Sequence, residues 1–66
     1  MTKSQKREAY KVWMADLLER LDTSVTNMQN SLENNDWDSA LYDSKRITDV
    51  LKSLKDTQSK LDSLST

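Results

Sequence analysis

Sixty-six consecutive residues without one glycine or proline leave the backbone few places to turn. Those two residues are the usual punctuation of turns and loops. A chain that lacks both, and is rich in Leu, Lys, Asp, Ser and Gln, reads as long helix interrupted very seldom.

The apolar spacing agrees. In the first half it runs Tyr10, Met14, Leu17, Leu21, Val25, Met28, Leu32. These steps of three and four contain an eleven-residue repeat at 10, 21 and 32. In the second half it runs Trp37, Ala40, Ser44, Ile47, Leu51, Leu54, Gln58, Leu61. Those steps alternate three and four throughout, a heptad with polar residues at Ser44 and Gln58. Both patterns are what a helix lining one seam requires.

The break falls at Asn34, Asn35 and Asp36. Asn and Asp side chains compete for backbone hydrogen bonds and tolerate left-handed turns, so they end helices. Asn35 is expected to cap the second helix, with Asp38 in an approximate capping box. Asp36 and Asp38 suit the positive end of its dipole. Thr2 and Gln5 have capping-box spacing for the first helix. The weak helix formers of LDTSVTNMQN offer an alternative, in which Asp22 caps a third, shorter helix. Because the apolar phase runs through that stretch unbroken, one long helix is the preferred reading.

The expected fold is therefore all-α, a single domain over 1–66. It consists of two long antiparallel helices, a hairpin, with a helix over about 3–33, a turn at 34–35 and a helix over about 36–63. The closing SLST is expected to fray. A short turn makes the helices antiparallel neighbours, so facing positions should sum to about 69. Leu32 then meets Trp37, Met28 meets Ala40 or Leu41, Leu21 meets Ile47, Leu18 meets Leu51, and Met14 meets Leu54.

One seam does not use all the apolar residues. From Ala9 to Leu21, nine of thirteen residues are apolar, and Val12, Trp13 and Leu18 spill beyond the stripe. Leu41, Tyr42 and Val50 do the same on the second helix. Burying a large side chain stabilises by roughly 1.5–3 kcal/mol, which a bare hairpin forgoes. Below roughly 70–80 residues one core is usually too small without disulfides, metal, very good packing or oligomerisation. With no Cys and no His, disulfides and the usual zinc sites are excluded. Packing and partners remain. The expectation is self-association, a homodimer of hairpins forming a four-helix bundle, or docking on a larger protein. The partner-binding candidates are Val12, Trp13 and Leu18, then Tyr42 and Val50. Trp37 is expected to plug the turn end of the core, and Met14 and Met28 to fill it.

Chemistry is disfavoured. The commonest general base and the strongest side-chain nucleophile are both missing, and the glycine loops that cradle phosphate cannot form. Asn34, Asp36 and Asp38 have the first spacings of a calcium loop, but Ser39 stands where Gly is needed and Lys45 where Glu is needed, so that site is rejected. Asp16, Glu19 and Asp22 read as a solvated acidic face. No enzyme, cofactor or metal site is expected.

Overall charge is −1, but its distribution is uneven. In a hairpin, residues 1–11 and 52–66 share the open end, where seven basic residues stand against three acidic ones, a net of +4. Residues 12–51 hold three basic against eight acidic, a net of −5. Lys3, Lys6, Arg7 and Lys11 are the nucleic-acid candidates at the basic end. That reading is disfavoured because such binders are usually basic overall. Ordinary helix pairs, Asp16–Arg20, Lys52–Asp56 and Asp56–Lys60, account for much of the charge.

No stretch approaches the ~20 apolar residues that span a bilayer. A cytoplasmic protein is expected, or a virion component if phage-encoded. The small size and the richness in Asn, Ser, Asp and Thr suggest a phage or mobile-element gene.

The segment NNDWDSALYDSKRI, with Trp37 three residues before Ala40, resembles the start of the second helix of a tetratricopeptide-type repeat. The resemblance covers about fourteen residues. The preceding segment lacks the Trp, Gly and Tyr of that repeat, and one unit stands where a stack needs several. It implies shared helix-hairpin physics rather than membership. The overall expectation is a non-enzymatic interaction protein: an adaptor, an inhibitor of a larger protein, or an assembly factor.

Overall fold

The computed structural model describes residues 2–65; the ends of the expected domain, Met1 and Thr66, lie outside the described residues. The chain is an all-α hairpin of two helices, α1 over Lys3–Glu33 and α2 over Trp37–Ser65. At 1.5 Å per residue these are about 46 and 44 Å long. The Cα atoms fill only 49 × 14 × 13 Å, so the helices lie side by side, antiparallel.

Each terminus has a local cause. Thr2 caps α1: its Oγ1 accepts the Gln5 N–H at 3.1 Å, and Gln5 Oε1 accepts the Thr2 N–H at 3.0 Å. This reciprocal box satisfies two donors that a helix start otherwise leaves unpaired. α1 continues unbroken through Asp22 and Thr23, so the alternative third helix does not form.

The turn differs from expectation at its cap. Asn35, expected to cap α2, instead takes the left-handed conformation with φ 56°. Its N–H donates to the Leu32 carbonyl at 3.2 Å, and the Asp36 N–H donates to the Ser31 carbonyl at 2.8 Å. Those two bonds make a Schellman closure, in which an Asn substitutes for the usual glycine. Asp36 then caps α2, its carboxylate accepting from the Ser39 N–H at 3.2 Å and the Ser39 hydroxyl at 2.8 Å. One residue thus completes the closure of α1 and opens α2. At the far end, α2 is helical through Ser65.

The seam is where pattern and packing part. Apart from half-buried Asp16, the buried or half-buried positions of α1 are Arg7, Tyr10, Met14, Leu17, Leu21, Ser24, Met28 and Ser31. They alternate three and four without a fault, and Ser24 and Ser31 replace the expected Val25 and Leu32. On α2 the positions that follow the same spacing are Ala40, Asp43, Ile47, Val50, Leu54, Thr57, Leu61 and Leu64, with Ser39, Ser44 and Ser53 half-buried beside them. Trp37, Leu51 and Gln58, expected in the seam, are exposed. Relative to the expected stripe, α2 is turned by one heptad row, about 100° for that row.

The physical reason lies in size and in satisfied polarity. Ser24, Ser31 and Ala40 are small and let the backbones approach. Two of the seam hydroxyls are paired: Ser31 Oγ donates to the Asn27 carbonyl at 3.0 Å and lies 3.2 Å from Asp43 Oδ2, and Thr57 Oγ1 donates to the Ser53 carbonyl at 2.8 Å. Among the described residues no buried side-chain nitrogen or oxygen lacks a partner. A satisfied polar group costs little to bury, whereas an unpaired one costs about 1–3 kcal/mol. The resulting core is thin. Leu17 and Ala40 are the buried apolar residues among those described, at 4% and 6% exposure.

Asn35→Ala should lower unfolding stability by about 1 kcal/mol, because a Cβ disfavours the left-handed conformation. Asn35→Gly should leave stability unchanged or raise it slightly. Helix melting in urea, followed by circular dichroism, reads both. Leu17→Ala should cost about 2–5 kcal/mol, enough to unfold much of so thin a hairpin at room temperature. Thr57→Val, which exchanges a back-bonded hydroxyl for a methyl group, should be close to neutral.

Candidate interaction surface

A two-helix contact covers two rows of a heptad on each helix. Here α1 carries a third row beside them, in which Leu18, Val25 and Leu32 follow at seven-residue intervals. The equivalent row of α2 holds Trp37, Ser44, Leu51 and Gln58. Reversing one helix against the other brings like rows to the same side, so these two rows share one flank of the hairpin. Across it Leu18 and Leu51, Val25 and Ser44, and Leu32 and Trp37 occupy facing register positions, each pair summing to 69. Leu41 lies beside this strip on α2. The side chains of Leu18, Val25, Leu32, Trp37, Leu41 and Leu51 are all exposed.

The opposite flank is a polar groove. Trp13, Ser53 and Lys60 line it near the open end, in a recess of about 440 Å3 with Asp56 and Thr57. Arg20, Asn27 and Arg46 continue it toward the turn. Arg20 pairs with Asp16 at 3.0 Å. Arg46 sits 5.9 Å from the centre of the Tyr42 ring and donates to its hydroxyl at 3.3 Å. That hydrogen bond, with the partial negative charge of Tyr42, holds the Arg46 guanidinium above its ordinary value.

These two flanks separate the residues expected to bind a partner. At 100° per residue, Trp13 lies about 100° from Val12 on one side and Leu18 about 120° on the other. Val12 points away from the seam at 69% exposure, Trp13 is in the polar groove, and Leu18 is on the apolar strip. Tyr42, exposed, borders the groove with Trp13. Val50 is half-buried in the seam opposite α1. The five candidates therefore do not form one patch. The continuous strip is made instead by Leu18 with Val25, Leu32, Trp37, Leu41 and Leu51. Its signal in the sequence is the seven-residue spacing of Leu18, Val25 and Leu32, which becomes a strip only once the seam is placed one row away.

At the open end, Lys3, Lys6 and Lys11 are exposed and Arg7 is half-buried at the end of the seam. Lys11 stands 3.9 Å from Glu8. Asp56 pairs with Lys60 at 3.3 Å, and among the described residues the expected Lys52–Asp56 pair does not form. No group of three acidic, His or Cys side chains is placed to hold a metal ion among the described residues. Among them, too, no helix is long and apolar enough to cross a membrane.

Comparison of the chain with protein-family models, curated proteins and solved structures finds no match.

Because Trp13 and Leu18 lie on different flanks, their effects should be independent. The stability changes of Trp13→Ala and Leu18→Ala, from thermal unfolding, should add in the double variant to within about 0.5 kcal/mol. A coupling well above 1 kcal/mol would mean that both belong to one patch.

Proposed function

We propose that this hairpin is a small non-enzymatic protein–protein interaction module, an adaptor, an inhibitor of a larger protein or an assembly factor, acting in the cytoplasm or in a virion assembled there. The observation that carries this reading is an imbalance. Nine large apolar side chains are exposed while two apolar residues are buried among those described. Scattered single exposures are ordinary, but five of these nine fall in the two facing rows of one flank, with Leu41 beside them. Contiguous exposed apolar surface of that kind marks contact sites on monomeric chains. Aromatic anchors such as Trp37 and Trp13 are favoured in contacts of this sort.

A second reading, a purely structural homo-oligomer, is favoured by the same strip and makes the partner another copy. The basic open end supports a third, nucleic-acid contact through Lys3, Lys6, Arg7 and Lys11. The chain as a whole is slightly acidic, which weighs against it. In that third case retention on DNA or RNA would fall steeply with salt.

The test is photo-crosslinking in living cells, with a photoreactive side chain at position 37 on the strip or at position 45 on an exposed polar position. Position 37 should give discrete crosslinked protein species and position 45 few or none. Equal, weak labelling at both would remove the interaction reading.

A further inference from the structure

We infer that the seam is a reversible redox switch: oxidation of the Met14 and Met28 thioethers to sulfoxides separates α1 from α2, and reduction of the sulfoxides lets the hairpin close again. This does not depend on what covers the apolar flank.

The α1 side of the seam relies heavily on sulfur. Of its eight positions from Arg7 to Ser31, five are apolar: Tyr10, Met14, Leu17, Leu21 and Met28. Two of those five are thioethers. They lie in one row with Leu21 midway, two heptads and so about 21 Å apart. Met14 serves the half toward the open end and Met28 the half toward the turn. Little else in the seam could make up for them. Leu17 and Ala40 are the buried apolar residues among those described, and Ser24, Ser31, Asp43 and Thr57 occupy other seam positions.

Both methionines are half-buried. A fully exposed methionine would oxidise without structural effect, and a sealed one would be shielded from the oxidant. A half-buried one is reachable from water and still takes part in packing. The chain has no cysteine, so no thiol competes for the oxidant or forms a disulfide.

The oxidant is hydrogen peroxide. The sulfur lone pair attacks one peroxide oxygen, the S–O bond forms as the O–O bond breaks, and the other oxygen leaves as water once the proton has passed to it. Sulfur gives up two electrons and the peroxide takes them. The product is polar where the thioether was apolar. Its oxygen needs a hydrogen-bond donor. The seam hydroxyls of Ser31 and Thr57 already donate to the Asn27 and Ser53 carbonyls, so their protons are committed. Water is the remaining donor, and the sulfoxide gains it by leaving the seam.

The test treats the purified full chain with low-millimolar peroxide. Trypsin cuts after Lys11, Arg20 and Lys45, which puts Met14 and Met28 in different fragments. Fragment sequencing by mass spectrometry should place one added oxygen on each. The helical circular dichroism of the doubly oxidised chain should fall by more than about half. Incubation with methionine sulfoxide reductases and a dithiol should restore both the mass and the helix. Met14→Leu with Met28→Leu, a volume-conserving exchange, should keep its helix in peroxide. Should that variant fail to fold, Met14→Gln and Met28→Gln, which put a polar amide at each site, should each lower the folding equilibrium constant more than about tenfold without any oxidant.

Full oxidation at both sites with an unchanged urea midpoint overturns the inference. So does protection of both sulfurs under conditions that oxidise free methionine. Equal loss of helix by the doubly substituted leucine variant in peroxide would put the sensitive group elsewhere, and helix that does not return after sulfoxide reduction would make the change damage and not a switch.

Discussion

Two helices side by side cover only the line along which they touch, and the rest of this molecule follows from that limit. Each helix carries apolar residues in three adjacent rows, interspersed with small polar ones, and the contact takes two. Whichever two are chosen, one row on each helix is left over. The hairpin takes the rows containing Ser24, Ser31, Ala40 and Thr57, which permit close approach, and the bulkier Leu18, Val25, Leu32, Trp37 and Leu51 remain outside. Burial of large side chains is thus given up in exchange for a tight, internally satisfied seam. The same choice creates the strip that another protein surface can cover.

The polar seam bears on specificity as well. Ser31 bonds to Asp43 across the seam, at one level of the register. Sliding one helix along the other would leave the buried Asp43 carboxylate without that hydroxyl, which is costly. The turn acts in the same direction. A three-residue closure in which Asp36 both ends α1 and caps α2 leaves no slack for a shift of a full turn. Register is therefore held at the closed end by backbone hydrogen bonds and near it by a buried side-chain pair. Toward the open end, where such devices are absent from the described contacts, packing of Met14, Leu54 and Leu61 carries it.

Much of this was legible in the residues. The absence of Gly and Pro, the three-and-four spacing and the Asn34–Asn35–Asp36 break indicated two long antiparallel helices. Thr2 and Gln5 announced the first cap. The cap of α2 was read one residue early, because Asn35 suits a cap and a left-handed closure equally well. Only the backbone bonds from Asn35 and Asp36 distinguish them. The binding candidates were read as one spill around a stripe, and they divide between two flanks. Val12, Trp13 and Leu18 are near in sequence but far apart around a helix. Counting apolar residues does not reveal that; measuring their angle from the true seam does.

The sequence by itself determined the helices, the place of the turn, the direction of pairing and the surplus of apolar side chains, because these depend on local propensity and on periodicity. It did not determine which two of three apolar rows meet. By hydrophobicity alone, the row of Leu18, Val25 and Leu32 had the stronger claim over the row of Leu17, Ser24 and Ser31. Tertiary structure decided for the latter, since close backbone approach and hydroxyls already bonded to their own helix or to Asp43 are properties of a pair of helices. No single helix displays them. That rotation of one row is also what gathers the exposed leucines and Trp37 onto one flank, and so it is the tertiary contact that makes a surface out of a surplus.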